Sequence, residues 1–403
     1  MKKLLVINLH THNFGDEALG RSIINKLIDK NIYPSINILY SHNNEISNKG
    51  FINFDNQKTI KQYSALQGSL LQKLTVRALL ALPFKISRFL TKFTVYKHEA
   101  KLIESSDEIL SAPGGVNIGP YKDWTYLWRL YYALNVGKKT AIYSISFGPL
   151  PSNKLFKKRS TWVLKNVNFL SLRDKKSQTF AVDLGLNHIP SIDTTFLDQN
   201  DYKSLTKALN LPDKYIVITP NELDRWHHQY KNFSHEKIKD VYINIINSFI
   251  EMQINVVILP HLFGYNYDDL YIETIVNSLN TSDKITFFPS NNLNSNIVQA
   301  IISKANFAIG SRFHTIMFAI RNETPFFALS YEHKIMNTLT GLQLESCAID
   351  FYKELDTNNE AFIYTSLFKT YKQSTKYFEI IKSKKDEAEK LALTTFDALM
   401  KEI

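Results

Sequence analysis

The strongest constraint in this sequence is an alternation: a short, continuous apolar run, a turn, then a helical stretch. The apolar runs fall at 4–9, 35–40, 107–112, 140–146 and 168–172, then at 215–219, 255–259, 284–288, 306–309 and 325–330. Several, such as IVIT and VVIL, carry no polar alternation, the pattern of strands buried on both faces of a parallel sheet. Helical stretches separate them at 17–30, 155–166, 235–252 and 293–303. Strands alternating with helices predict α/β architecture with right-handed crossovers. A chain of 403 residues exceeds what one core usually spans, so two domains are expected.

The polar stretch 198–213 separates the two series. The expected organisation is one doubly wound domain at 1–200, a second at 201–373, and a long charged helix at 374–403 that packs back across the first. Two such domains facing a cleft present the carboxyl ends of both sheets to it, where ligands bind in this architecture.

Composition narrows the setting. The single cysteine, Cys347, makes neither an internal disulfide nor a cysteine-based metal site, which suits a reducing compartment. No apolar run approaches the ~20 residues of a membrane span, and the run in MKKLLVINLH is too short for a signal peptide, so a cytoplasmic protein is expected. Net charge is +10 (48 minus 38) and unevenly spread. Between Asp55 and Glu99 there is no acidic residue, while Lys58, Lys61, Lys73, Arg77, Lys85, Arg88, Lys92 and Lys97 are all basic. Basic character confined to one segment argues against a nucleic-acid groove.

Four loops at strand ends hold residues that core packing would not choose. In the first, Asn13-Phe14-Gly15-Asp16-Glu17, a glycine turn enters a helix. Such a turn normally invites an anion, but Asp16 and Glu17 favour a neutral, hydroxyl-rich ligand; the alternative is that Asp16 caps the helix. The second, Gly114-Gly115-Val116-Asn117, has paired glycines that permit close backbone approach or simply a turn. In the third, Arg173-Asp174, an arginine ending a buried strand either grips an anion with its planar fork or pairs with Asp174 at the surface. The fourth, Gly310-Ser311-Arg312-Phe313-His314, sets a fixed cation and a titratable imidazole at a helix N-terminus between two apolar elements. His261 and Lys334 also follow predicted strands and are candidates to line the same cleft.

With these residues assembled, the sequence resembles the polysaccharide pyruvyl transferase family. The N-x-G-D segment is Asn13 to Asp16, the Gly-Gly loop Gly114-Gly115, and the Arg-Asp pair Arg173-Asp174. An aspartate before an aromatic runs from Asp193 to Phe196, Arg-x-His is Arg312 to His314, and Tyr-x-x-Lys is Tyr331 to Lys334. The ordered set spans about residues 4–345. Thr194-Thr195 stands where the family has Pro-Ala, and the basic 58–101 segment is not part of its pattern.

The resemblance implies two Rossmann-like domains of GT-B type and a reaction using phosphoenolpyruvate as donor substrate, with no further cofactor and no metal. The product is a pyruvate ketal across two hydroxyls of a sugar in a cell-surface polysaccharide or its lipid-linked precursor. On this reading Arg173, Arg312, the Phe313 amide and Lys334 hold phosphoenolpyruvate. His314 is the general acid, and Asp16 or Asp193 orients or deprotonates the acceptor hydroxyls. Asn13, Asp16, Glu17, Gly114, Gly115, Asn117 and His261 line the acceptor side. One alternative is a GT-B glycosyltransferase, with Arg312 and Lys334 on a nucleotide-sugar diphosphate and His314 as base. Another is a non-catalytic sugar-binding scaffold of polysaccharide assembly.

The basic segment admits two readings. On a helical wheel Leu74, Ala78, Leu82, Ile86, Phe89 and Phe93 share one side, beside Lys73, Arg77, Lys85, Arg88 and Lys92, with Pro83 kinking or splitting the helix. Residues 70–97 then either meet an anionic membrane surface at its cytoplasmic face, where a lipid-linked acceptor would lie, or form an ordinary helix whose apolar side is core.

Overall fold

Two all-parallel sheets organise the chain, one in each of two compact units. The computed structural model describes residues 2–41, 52, 54, 59–65, 68–263, 267–279 and 283–403, apart from the side chain of residue 208. The first unit comprises Met1–Thr11, Leu19–Asp198 and Glu389–Ile403; the second comprises His12–Ala18 and Gln199–Ala388.

In the first unit the strands are β1 (Lys3–Leu9), β2 (Ser35–Tyr40), β3 (Ile60–Tyr63), β4 (Glu108–Ser111), β5 (Lys139–Ile145), β6 (Phe169–Leu172) and β7 (Ile189–Pro190). Their spatial order is β3-β2-β1-β4-β5-β6-β7. The first six follow the doubly wound order, whose direction of travel reverses between β1 and β4. Helices α1 (Phe14–Asp29), α2 (Leu70–Ala81), α3 (Phe84–Thr91), α4 (Lys97–Ser105), α5 (Trp124–Asn135), α6 (Lys154–Asn166) and α7 (Lys175–Asp183) connect them. The division between units falls inside α1, so the N-x-G-D segment groups with the second unit rather than with the 1–200 domain expected from sequence.

The centre of this unit's core is aromatic. Buried α5 lays Trp128 against Tyr96 (centroids 4.9 Å apart), Trp124 against Phe156 (5.0 Å) and Tyr131 against Trp162 (5.1 Å). From the same helix, Arg129 forms a buried pair with Glu99 (Nε to Oε2, 2.9 Å) and donates to Asn8 Oδ1 and the Tyr40 carbonyl, both at 3.0 Å. Asn8 has φ +65°, a left-handed conformation asparagine tolerates, where the β1–β2 register shifts. The carboxyl end of β1 is thereby anchored.

The basic segment splits at Pro83, as expected, into α2 and α3. A reciprocal capping box between Ser69 and Gln72 starts α2. Val76, Leu79, Leu80, Ser87 and Thr91 are buried, whereas Leu74, Ala78, Ile86, Phe89 and Phe93 are exposed and Leu82 is half-buried. The reading in which that apolar side is core is corrected: these helices dock through another stripe. Lys58 lies outside the described residues.

In the second unit the strands are β8 (Tyr215–Thr219), β9 (Asn255–Ile258), β10 (Ile285–Phe287), β11 (Phe307–Gly310), β12 (Phe326–Ser330) and β13 (Ala348–Asp350). Their order, β10-β9-β8-β11-β12-β13, repeats the doubly wound pattern with its reversal between β8 and β11. The helices are α8 (Leu223–Trp226), α9 (His235–Glu251), α10 (Asp269–Ser278), α11 (Ser295–Lys304), α12 (Phe313–Arg321), α13 (His333–Gly341), α14 (Phe351–Asp356), α15 (Glu360–Lys372) and α16 (Ser374–Glu402). The last stretch of α16 groups with the first unit, where Thr395 donates to the Pro190 carbonyl (3.2 Å) and Lys139 to the Glu402 carbonyl (3.2 Å). No described helix is long and apolar enough to cross a membrane.

Candidate active site

In the second unit the chemistry gathers where β11 gives way to α12, beside the reversal point of the sheet. A Cβ on Gly310 would lie 2.8 Å from Thr315 Cγ2, so glycine lets the helix start fold tightly against the strand end. Arg312 occupies the N-cap position of α12 without capping it. Its Nη2 donates to Asp268 Oδ1 (2.6 Å), its guanidinium lies 5.7 Å from the Trp226 ring, and its Nε has no hydrogen-bond partner among the described residues. The second oxygen of Asp268 accepts from the backbone amides of His261 (2.9 Å) and Leu262 (2.8 Å). One buried carboxylate therefore ties the post-β9 loop to the arginine.

The N-x-G-D segment joins this cluster through its backbone. Phe14 N donates to the His261 carbonyl (3.2 Å) and Phe263 N to the His12 carbonyl (3.2 Å), around an antiparallel bridge between Asn13 and Leu262. Asn13, not Asp16, caps α1: its Oδ1 accepts from Asp16 N (2.7 Å), while its Nδ2 donates to Asp16 Oδ2 (2.8 Å). Asparagine suits both halves because its amide carries an acceptor and a donor. Gly15 is required sterically. A Cβ there would sit 1.9 Å from Nδ1 of His314. The motif glycine is thus the surface against which the imidazole rests.

His314 stacks on His261 with centroids 5.7 Å apart and planes 16° from parallel, and meets Phe313 edge-on at 5.2 Å. Lys334 holds its ammonium 4.0 Å from the Phe313 ring centroid. The His261 imidazole is held well below its ordinary pKa, chiefly by burial and then by His314, Arg312 and Lys334, with Asp16 opposing. It is a neutral ring near pH 7. Glu17 accepts from the Ser295 amide (3.3 Å) and hydroxyl (3.0 Å) at the start of α11.

The first unit holds a second cluster. Arg173 is buried and does not pair with Asp174. Its Nη1 donates to Asp193 Oδ2 (3.0 Å) and its Nε to Ser146 Oγ (3.1 Å), whereas Asp174 caps α7 through Ser177 N (2.9 Å). Asp193 Oδ1 also accepts from Thr195 N (3.2 Å) and Thr195 Oγ1 (2.7 Å), opening a 3-10 turn at Thr194–Leu197. Thr195 and Arg173 thus hold the two oxygens of this aspartate from different sides. Asn117 Nδ2 lies 3.4 Å from His10 Nε2. Gly114 bridges to Ile145, and among the described residues a Cβ on Gly114 or Gly115 would meet nothing within 4 Å, so neither glycine answers to a clash with them.

Of the residues expected from sequence, the structure gathers Asn13, Asp16, His261, Arg312, Phe313, His314 and Lys334 in the second unit. Gly114, Asn117, Arg173 and Asp193 belong to the first. Assignment of Asn13, Asp16 and Glu17 to the first domain is corrected, because the strand-like bridge to 262 carries them into the second unit. Sequence reasoning missed Asp268 and Trp226. Asp268 is an aspartate at no motif position, 44 residues from the arginine it binds, and only folding brings the two together. Among the described residues, no group of three or more His, Cys, Asp and Glu side chains is arranged to hold a metal ion.

Residues 13–333 match the family model for polysaccharide pyruvyl transferase. The chain is 24% identical over 395 residues to the amylovoran biosynthesis protein AmsJ of Erwinia amylovora, covering 88% of this chain and 89% of that one. Among solved structures it resembles UDP-GlcNAc 2-epimerase from Neisseria meningitidis (TM-score 0.60, 14% identity, all of both chains). It also resembles the trehalose-6-phosphate synthase OtsA (0.57, 10%, covering 100% and 99%). The spinosyn rhamnosyltransferase SpnG is a further likeness (0.54, 10%, covering 98% and 100%). At these identities the likeness is one of fold, the GT-B fold of glycosyltransferases and epimerases.

Proposed function

We propose, from the premise that this chain belongs to the polysaccharide pyruvyl transferase family, that it moves the enolpyruvyl group of phosphoenolpyruvate onto two hydroxyls of a sugar, forming a pyruvate ketal. The acceptor is a cell-surface polysaccharide or its lipid-linked precursor. The observation that carries this reading is the Arg312–His314 turn, where a buried guanidinium, two stacked imidazoles and Lys334 meet at a helix N-terminus. A donor bearing a phosphate and a carboxylate matches those groups, and helix N-terminal amides favour anions. Within the first unit, Arg173, which pairs with Asp193, is a planar fork of the same kind.

The chemistry balances as follows. His314 gives its proton to the donor methylene, making a methyl group and an electrophilic carbon at C2. A sugar hydroxyl attacks C2 and loses its proton to a carboxylate, for which Asp16 is the proposed base. The C2–O bond to phosphate then breaks, phosphate leaving with the electron pair, and the second hydroxyl closes the ring as it loses its own proton. Phosphate carries away the remaining proton. A correctly oriented general acid contributes about 10²–10⁴-fold. His261, neutral and stacked on His314, keeps that ring in one orientation.

Thermal-shift titration with phosphoenolpyruvate, UDP, GDP and CMP tests this. A ligand that binds only the folded chain stabilises it by RT ln(1+[L]/Kd). Phosphoenolpyruvate is expected to raise Tm, and the conservative variant Arg312→Lys to abolish most of that shift while still folding. A shift with a nucleotide alone would replace this reading with nucleotide-sugar transfer, in keeping with the fold neighbours.

A further inference from the structure

Among the described residues, the α2–α3 pair presents an exposed apolar face. Leu70 and Leu71 are each 74% exposed, Phe89 60% and Phe93 75%, with Leu74 and Ile86 also exposed. On α3 the two phenylalanine rings meet edge to face at 5.2 Å and form one exposed aromatic patch. Single exposed apolar residues are ordinary, but a contiguous cluster on a soluble chain marks an interaction surface.

Charge decides what the partner is. Lys73, Arg77, Lys85, Arg88 and Lys92 border this face and are all exposed. Neither α2 nor α3 carries an acid, and neither does α6, which packs on α2 and exposes Lys154, Lys157 and Lys158. Of the acids on α4, Glu104 pairs with Arg88 (2.9 Å) and buried Glu99 with Arg129 (2.9 Å), while Asp123 caps α5 through Tyr126 N (2.9 Å), next to the Trp124 ring on which Arg77 lies. Apolar side chains ringed by cations on short helices match the surface of an anionic bilayer, where the rings enter the headgroup region and lysine stems extend to the phosphates.

We propose that the α2–α3 face docks on an anionic lipid bilayer. Leu74, Ile86, Phe89 and Phe93 insert among the headgroups, and Lys73, Lys85 and Lys92 lie against lipid phosphates. The helices lie on the surface without spanning it. This inference does not depend on the donor chemistry, and its failure would leave the pyruvyl-transfer reading standing.

The test is co-sedimentation of the full chain with vesicles of phosphatidylcholine alone and of phosphatidylcholine mixed with phosphatidylglycerol. Binding is expected to the mixed vesicles only, and to weaken with salt. Each cation near the surface is worth about 1 kcal/mol, or about five-fold, so Lys73→Glu/Lys85→Glu/Lys92→Glu should lose about 100-fold or more. Phe89→Ser/Phe93→Ser should lose at least about ten-fold. Circular dichroism, Tm and the phosphoenolpyruvate shift should match wild type in both, because these side chains are exposed. Absent vesicle binding, equal binding to neutral vesicles, or undiminished binding by either folded variant overturns the proposal. So does a concentration-dependent dimer that Phe89→Ser/Phe93→Ser abolishes without any vesicle binding, which would assign the face to a second copy of the chain.

Discussion

Each unit buries an arginine just past the carboxyl end of a parallel strand and pairs it with an aspartate, yet the two pairs keep different company. Arg173 follows β6 and Arg312 follows β11. The contacts of Arg173 and Asp193 include two hydroxyls, Ser146 and Thr195, which help hold the pair and do not titrate near pH 7. Around Arg312 and Asp268 stand two histidines, Trp226 and Lys334, at the start of a helix. A buried ion pair alone is weak evidence of chemistry, since breaking any such pair is costly whatever its role. The titratable groups beside it carry the distinction.

The largest expected effect comes from deleting the second pair. Arg312→Ala should lower ketal transfer by about 10²–10³-fold through the lost electrostatic contact. It should also cost about 3–5 kcal/mol of stability by leaving Asp268 buried alone. Steady-state kinetics and urea unfolding read the two separately, and wild-type kinetics in a folded variant would remove Arg312 from the site.

Gly15→Ala comes next. A Cβ 1.9 Å from His314 Nδ1 must displace the imidazole, and a misplacement of about 1 Å typically costs about 10²-fold in rate. Gly114→Ala is the matched control: with nothing within 4 Å, its stability should stay within about 0.5 kcal/mol of wild type. If the two substitutions behaved alike, the steric role of Gly15 would be wrong.

A smaller change is expected on the other side of the comparison. Asp193→Asn keeps the shape of the Arg173 contact but removes its charge, and should cost about 1.5–3 kcal/mol of stability with less than a ten-fold change in kcat. A kcat loss as deep as that of Arg312→Ala would overturn the distinction drawn between the two pairs.

The subtlest prediction concerns pH. Burial holds folded His261 below the pKa of the unfolded chain, near 6.5, so the unfolded state binds the extra proton. The stability from neutral His261 is fully present above about pH 6.5 and is lost as pH falls toward the folded pKa, by at most about 1.4 kcal/mol per pH unit. His261→Gln should flatten that acid slope. His227, also held low by burial and by His228, keeps its own share. An unchanged slope in His261→Gln would show that the ring is not held neutral.

What could be read from the chain follows from how burial is written in it. Interior strands such as β8 and β9 are continuous apolar runs because both their faces are covered, and the sequence shows them within a residue or so. The unread strands, β3 (IKQY), β7 (IP) and β13 (AID), all lie at sheet edges. With one neighbour and partial exposure, an edge strand needs no apolar run. The motif residues were legible as types out of place at strand ends, and Pro83 as the break between α2 and α3. The exposure of Leu74, Ile86, Phe89 and Phe93 was not, because a helical wheel reports which residues share a face, not which face the core takes.

The sequence by itself determined the α/β alternation, the basic segment without acids, and the identities of Arg312, His314 and Arg173, since local burial and local composition are properties of contiguous residues. The tertiary structure alone decided that Asn13 to Glu17 join the second unit, that Asp193 rather than Asp174 holds Arg173, and that Asp268 joins Arg312 to the loop of His261. Those choices turn on hydrogen bonds between residues far apart in the chain, and periodicity carries no information about which distant partner a buried charge will meet.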